Sequence, residues 1–129
     1  MIWLIQCLLL VGTALLPAVS NAGTVTYNLD ITWSLGNPDG FERPVIGING
    51  TWPPPVLYAT KGDRVVVNVQ NLLGNQSTSL HFHGIFQNGT TNMDGAVGTS
   101  QCPIPPGGSF TYDFTVSSIG NNYYHALTC

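Results

Sequence analysis

Alternation of apolar and polar residues at period two runs through most of this chain. Thr24-Val25-Thr26-Tyr27-Asn28-Leu29-Asp30-Ile31-Thr32-Trp33 keeps it over most of its length and predicts a half-buried strand. Ser109-Phe110-Thr111-Tyr112-Asp113-Phe114-Thr115-Val116 repeats the pattern. Arg64-Val65-Val66-Val67-Asn68-Val69 is a β-branched run that favours a pleated, extended backbone. Between these, Asn37-Pro38-Asp39-Gly40 is a turn signature, and Arg43 to Gly50 reads as a short apolar strand ending in a second turn. Pro53-Pro54-Pro55 must be extended and offers no ladder donors. Val56-Leu57-Tyr58-Ala59 then flanks, with the β-branched run, a tight connection at Lys61-Gly62-Asp63. Tyr123 to Cys129 begins one more strand. No stretch carries a clean helical period or cap. Short strands with turns every eight to twelve residues or so predict an all-β sandwich or barrel.

The chemistry concentrates in Ser79-Leu80-His81-Phe82-His83-Gly84-Ile85, which holds two of the chain's three histidines. Side chains in a strand alternate faces, so His81 and His83 point to one side, roughly 6.6 Å apart along the strand. Phe82 points the other way, toward a core. Two imidazoles so placed do not close around a single ion, but they can supply part of a metal cluster completed from elsewhere. On the dipeptide spacing alone, metal binding and a hydrogen-bonded surface pair stand level. Gly84 allows a turn or a close backbone approach. The third histidine, His125, lies on the last predicted strand. Asp94, in the polar loop Gln87 to Gly95, reads on composition as the first residue of an Asp-Gly turn.

Composition narrows the setting. Met1 to about Ala22 reads as a targeting segment, with an apolar run from Leu8 to Leu16, a break at Pro17, and small residues Ser20 and Ala22 at signal-peptidase spacing. The expected cut follows Ala22, although no Lys or Arg precedes Arg43. The run is short for a membrane span. Residues 23–129 are then enough for one domain. Asn49-Gly50-Thr51, Asn75-Gln76-Ser77 and Asn88-Gly89-Thr90 are N-glycosylation acceptors if the chain is secreted. Charged residues are only 7% of the sequence and the net charge is −3, which argues against nucleic acid as a partner. Cys7 leaves with the targeting segment. Cys102 and Cys129 can pair with each other, or Cys102 can await a partner outside the chain. Neither belongs to a Cys-x-x-Cys or Cys-x-His unit, so structural zinc and a blue-copper thiolate are both unsupported.

Taken in order, Pro53 through Asp63, His81-Phe82-His83-Gly84, Gln87-Asn88-Gly89-Thr90, Met93-Asp94-Gly95, Gln101-Cys102-Pro103-Ile104 and Tyr124-His125 resemble the N-terminal region of a fungal multicopper oxidase. The resemblance runs from about Thr24 to His125. Its wording is nearest the iron-uptake ferroxidases, with laccases next. It implies a cupredoxin (plastocyanin-like) Greek-key β-sandwich, the first of three such domains. Copper is the implied cofactor, with His81 on a type 2 copper and His83 and His125 on a type 3 pair. It also implies a proton-supply role for Asp94 during dioxygen reduction, which displaces the plain turn reading. Cys102 matches a cysteine that forms a disulfide with a distant partner.

The chain departs from the family where Tyr-His-Ser-His is expected, because Ala126 and Leu127 follow His125. One ligand is thereby lost. A domain truncated at its C-terminal end, with an unpaired strand edge and no oxidase activity of its own, is the resulting expectation. The implied partners are the further cupredoxin domains, dioxygen, Fe(II) or phenols, and an iron permease. The implied location is outside the cell, or at its surface if the parent protein has a C-terminal membrane anchor. A laccase-type domain, a free-standing copper-binding protein and a non-catalytic fragment are the other readings.

Overall fold

The computed structural model describes residues 22–128. Residues 1–21 of the targeting segment and Cys129, and with it the Cys102–Cys129 pairing, lie outside the described residues. Among the described residues six strands form two sheets, ordered along the chain as β1 (Thr24–Gly36), β2 (Arg43–Ile48), β3 (Arg64–Asn71), β4 (Thr78–His83), β5 (Ser109–Thr115) and β6 (Tyr123–Thr128). A single 3₁₀ turn at Thr91–Met93 is the helical element among the described residues.

The period-two segments become strands because alternation gives each a face to bury. Val65, Val67 and Val69 on β3 and Tyr112 and Phe114 on β5 point inward, joined by Leu29 and Ile31 of β1. β1 is long enough to serve two neighbours. Its first part pairs parallel with β3, from Thr24↔Arg64 to Ile31↔Asn71, and its second part pairs antiparallel with β2, from Ile31↔Ile48 to Gly36↔Arg43. The larger sheet is therefore mixed, in the order β2-β1-β3-β5, while β4 and β6 form the second sheet.

Leu80 and Phe82 of β4 close the core against the larger sheet. The Phe82 ring lies 5.3 Å from that of Tyr112 and 4.9 Å from that of Phe114. Burying a side chain of this size stabilises by roughly 1.5–3 kcal/mol. Tyr112 also ties the sheets by a polar contact: its hydroxyl oxygen accepts the Leu80 N–H at 2.9 Å. Burial holds the Tyr112 phenol above its ordinary pKa. Buried Asn71 organises the approach to β4. Its amide donates to the carbonyls of Gln76 and Ile104 at 2.9 Å, and its oxygen accepts the Leu73 N–H at 3.0 Å. A buried amide satisfied on three sides pins the connection from β3 to β4.

Val56 to Ala59 does not join a sheet. The three prolines before it offer no donors, and the Tyr58 backbone pairs with a side chain instead. The Tyr58 N–H donates to the Tyr27 hydroxyl at 2.8 Å, and that hydroxyl donates to the Tyr58 carbonyl at 2.6 Å. The predicted connection at Lys61–Asp63 is present, with Gly62 at φ +98°. The Asp63 carboxylate accepts the Thr60 and Gly23 N–H groups, each at 2.7 Å.

Candidate metal centre

The centre is built by the β4–β6 register. His81 lies directly opposite His125, and His83 directly opposite Tyr123. Residues opposite one another on antiparallel strands share a face, and so do residues two apart on one strand. All four side chains therefore emerge on the same side of the two-stranded sheet. Leu80, Phe82, Tyr124 and Ala126 occupy the other side.

One ring nitrogen from each of His81, His83 and His125 lies within 4.8 Å of the other two. The ring centroids are 5.6 Å apart for His81–His83, 5.4 Å for His81–His125 and 6.4 Å for His83–His125. His81 and His125 are half-buried and His83 is exposed, so the cluster faces outward. A set of neutral imidazoles fits copper, which binds nitrogen donors more tightly than the other divalent first-row metals.

The loop after β4 fixes one ring. His81 Nδ1 lies 2.6 Å from the Asp94 carbonyl oxygen. A carbonyl only accepts, so Nδ1 carries the proton and Nε2 keeps the lone pair that a metal would use. The Asp94 carboxylate is also close, with Oδ2 at 3.4 Å from the same nitrogen. Gly95 makes this approach possible. It adopts φ +85°, and a Cβ there would lie 1.9 Å from the Leu80 carbonyl oxygen. The Gly95 carbonyl accepts the Ser79 hydroxyl at 2.6 Å, which clamps the loop to β4. At the other end of the cluster Gly84, at φ +82°, ends β4 and lets the Asn122 side chain come within 2.7 Å of where a Cβ would stand.

The remaining sequence candidates lie away from the cluster or at the surface. Asn49, Asn75 and Asn88 are exposed, and so is Cys102. Two of the sequon amides already hold structural contacts: Asn49 Oδ1 accepts the Asp30 N–H at 2.7 Å, and Asn75 Oδ1 accepts the Trp33 indole N–H at 3.3 Å. Sequence reasoning passed over Tyr123, whose ring stacks on His83 with centroids 4.3 Å apart and planes 16° apart. Its position two residues before His125 was the available signal. An apolar groove of about 560 Å³, lined by Val65, Phe82, Phe114 and Tyr124 among others, opens on the core side of β4 and β6. Burial there pushes the Tyr124 phenol up to about 12.

Two unequal sheets around an aliphatic and aromatic core, with a cluster of three histidines presented by paired strands, define an all-β cupredoxin domain in which His81, His83 and His125 could hold a metal ion. Residues 30–128 match the sequence profile of the family described as "Multicopper oxidase", and the chain belongs to that family, whose cofactor is copper. Among similar proteins is an iron transport multicopper oxidase of Epichloe festucae, 56% identical over 118 residues that cover 88% of this chain and 19% of that protein. Another, an iron transport multicopper oxidase of Gibberella zeae, is 57% identical over 114 residues, covering 88% of this chain and 18% of that protein. The crystal structure of a laccase from Botrytis aclada superposes with a TM-score of 0.77 at 41% identity, over 81% of this chain and 20% of the laccase. The chain thus spans about a fifth of the length of the proteins it matches.

Proposed function

We propose that this chain is the N-terminal copper-binding domain of a multicopper oxidase acting on Fe(II). In this reading His81, His83 and His125 hold copper in a cluster completed by histidines from other cupredoxin domains. When bound, that copper supplies the electron transfer by which dioxygen is reduced to water as Fe(II) is oxidised. The observation that carries the reading is the convergence of the three ring nitrogens to within 4.8 Å. The chain's own part is then to present donor atoms. The Asp94 carbonyl sets the His81 tautomer, and the Asp94 carboxylate, 3.4 Å from His81 Nδ1, stands ready to hold or pass a proton beside the ligand set. The core beneath, with Phe82 between the two β4 histidines, keeps that face from shifting.

The iron preference rests on the curated relatives, and the laccase likeness favours phenols as the second reading. In either case the protein works outside the cell or at its surface, where an iron permease is the natural partner of a ferroxidase. Exposure of all three sequons suits that setting. Cys102, on the surface, is available for a disulfide to another part of the parent protein.

The test is a Cu(II) titration of the chain followed by electron paramagnetic resonance. Weak binding with nitrogen hyperfine structure is expected, without the intense blue absorption of a thiolate-ligated copper. Replacing His81 or His125 by Ala should abolish it. Binding that persists unchanged in the double replacement would refute the assignment.

A further inference from the structure

The three imidazoles are not held alike. Hydrogen bonding fixes the His81 ring through the Asp94 carbonyl. His83 is exposed, stands at the last position of β4, and is followed by Gly84 at φ +82°, so neither burial nor a continuing strand steadies it. What lies against it is Tyr123. The two rings are nearly parallel, 16° between planes, with centroids 4.3 Å apart. The same tyrosine ring lies 5.7 Å and 24° from that of His125. Tyr123 is itself 58% exposed, which sets it apart from the core aromatics. Its hydroxyl donates to no group among the described residues, so its face rather than its polar end makes the contacts.

From this we infer that Tyr123 is a positioning residue for the ligand set. Its ring sets the plane of the His83 imidazole and covers one face of His125. The inference deepens the copper reading above and rests on it. An exposed imidazole free to rotate must be ordered when a metal binds, and that ordering lowers affinity. A ring already held by a stacked neighbour avoids most of the loss. Aromatic pairs of this kind correspond to an affinity effect of about three- to tenfold.

The experiment compares the full chain with Tyr123→Phe, Tyr123→Trp and Tyr123→Leu. Two quantities are read: the His83 ring carbon and proton NMR signals without metal, and Cu(II) affinity by competition with a chelator. The aromatic variants should keep the upfield ring-current displacement of His83 and stay within about twofold of the parent affinity. Tyr123→Leu should move the His83 signals toward those of a free histidine and leave His81 in place. It should weaken Cu(II) about three- to tenfold. Because the side chain is exposed, its urea midpoint should barely change. His83 signals that do not move in Tyr123→Leu, or unaltered Cu(II) affinity in that variant, would overturn the proposal. So would a Tyr123→Phe variant behaving like Tyr123→Leu, since the hydroxyl would then be the active part. Should the parent chain bind no Cu(II), the copper reading fails by itself, and the metal-free NMR comparison still decides whether Tyr123 orders His83.

Discussion

Replacing Gly95 by Ala tests whether the approach of the Asp94 loop to β4 holds the site together. Two costs arise. At φ +85° an L side chain is strained, by about 1–2 kcal/mol. The new methyl would also lie 1.9 Å from the Leu80 carbonyl oxygen, 2.6 Å from its carbon and 2.8 Å from the His81 Cα. These are backbone atoms of a paired strand and do not swing aside. Overpacking of that kind adds about 1–3 kcal/mol. The sum, about 2–5 kcal/mol, is a large share of the roughly 5–15 kcal/mol that holds a small domain folded. Gly89→Ala is the matched control, at φ +77° with nothing within 4 Å of the added carbon. It should carry only the backbone strain, and the unfolded-state benefit of removing a glycine is the same for both. Urea unfolding monitored by circular dichroism should therefore place Gly95→Ala below Gly89→Ala by about 1–3 kcal/mol. The His81 ring signals should shift in the first variant alone. Equal losses would show that the loop yields without cost and that its contact with β4 does not determine the position of Asp94.

Two further outcomes follow from particular contacts. The N–H groups of Thr60 and Gly23 hold the Asp63 carboxyl below its ordinary pKa, and the Arg64 guanidinium does the same for Asp113. Groups lowered by folding stabilise above their unfolded pKa and lose that contribution as pH falls through the folded value, so urea midpoints should drop between about pH 5 and about pH 2. Asp63→Asn should flatten that slope, and an unchanged slope would remove Asp63 from the account. Leu127 occupies the same face as His125, one rung further along and opposite Ser79. Leu127→His should tighten Cu(II) roughly tenfold, whereas unaltered affinity in a competition assay would mean that this rung lies outside the ligand set.

The strands were legible because burial on one face writes itself into period two, as in Val65, Val67 and Val69 or in Tyr112 and Phe114. The same rule put His81 and His83 on one side and Phe82 on the other. Val56 to Ala59 reads like a strand by residue type, yet its backbone partner is the Tyr27 hydroxyl, and pairing of that sort leaves no trace in periodicity. The meeting of Asp94 with His81 was out of reach for residue-level reading, since it depends on a glycine tolerating contact with a strand thirteen or more residues back. Only the family resemblance pointed there. Alternation could have placed Tyr123 on the His125 face, but its stacking on His83 follows from the pairing partner of β6, and alternation within a strand does not say which strand lies alongside.

That pairing has a consequence for how the site is controlled. A slip of β6 by one residue against β4 would turn His125 and Tyr123 to the core and bring Tyr124 and Ala126 out, so the cluster exists only in one register. What fixes the register lies on the opposite face. Phe82 packs on Tyr112 and Phe114, the Leu80 N–H donates to the Tyr112 hydroxyl, and the Tyr124 hydroxyl donates to the Pro55 carbonyl. Each of these contacts belongs to the core or its border, and none touches a ring nitrogen of the cluster. The spacing of the imidazoles is therefore set from behind, by residues on the face turned away from the cluster. Changes at Leu80 or Phe82 must disturb the donor geometry even when every histidine remains. On the outer face the ring rotations remain adjustable, and the Asp94 carbonyl and the Tyr123 ring act on two of them.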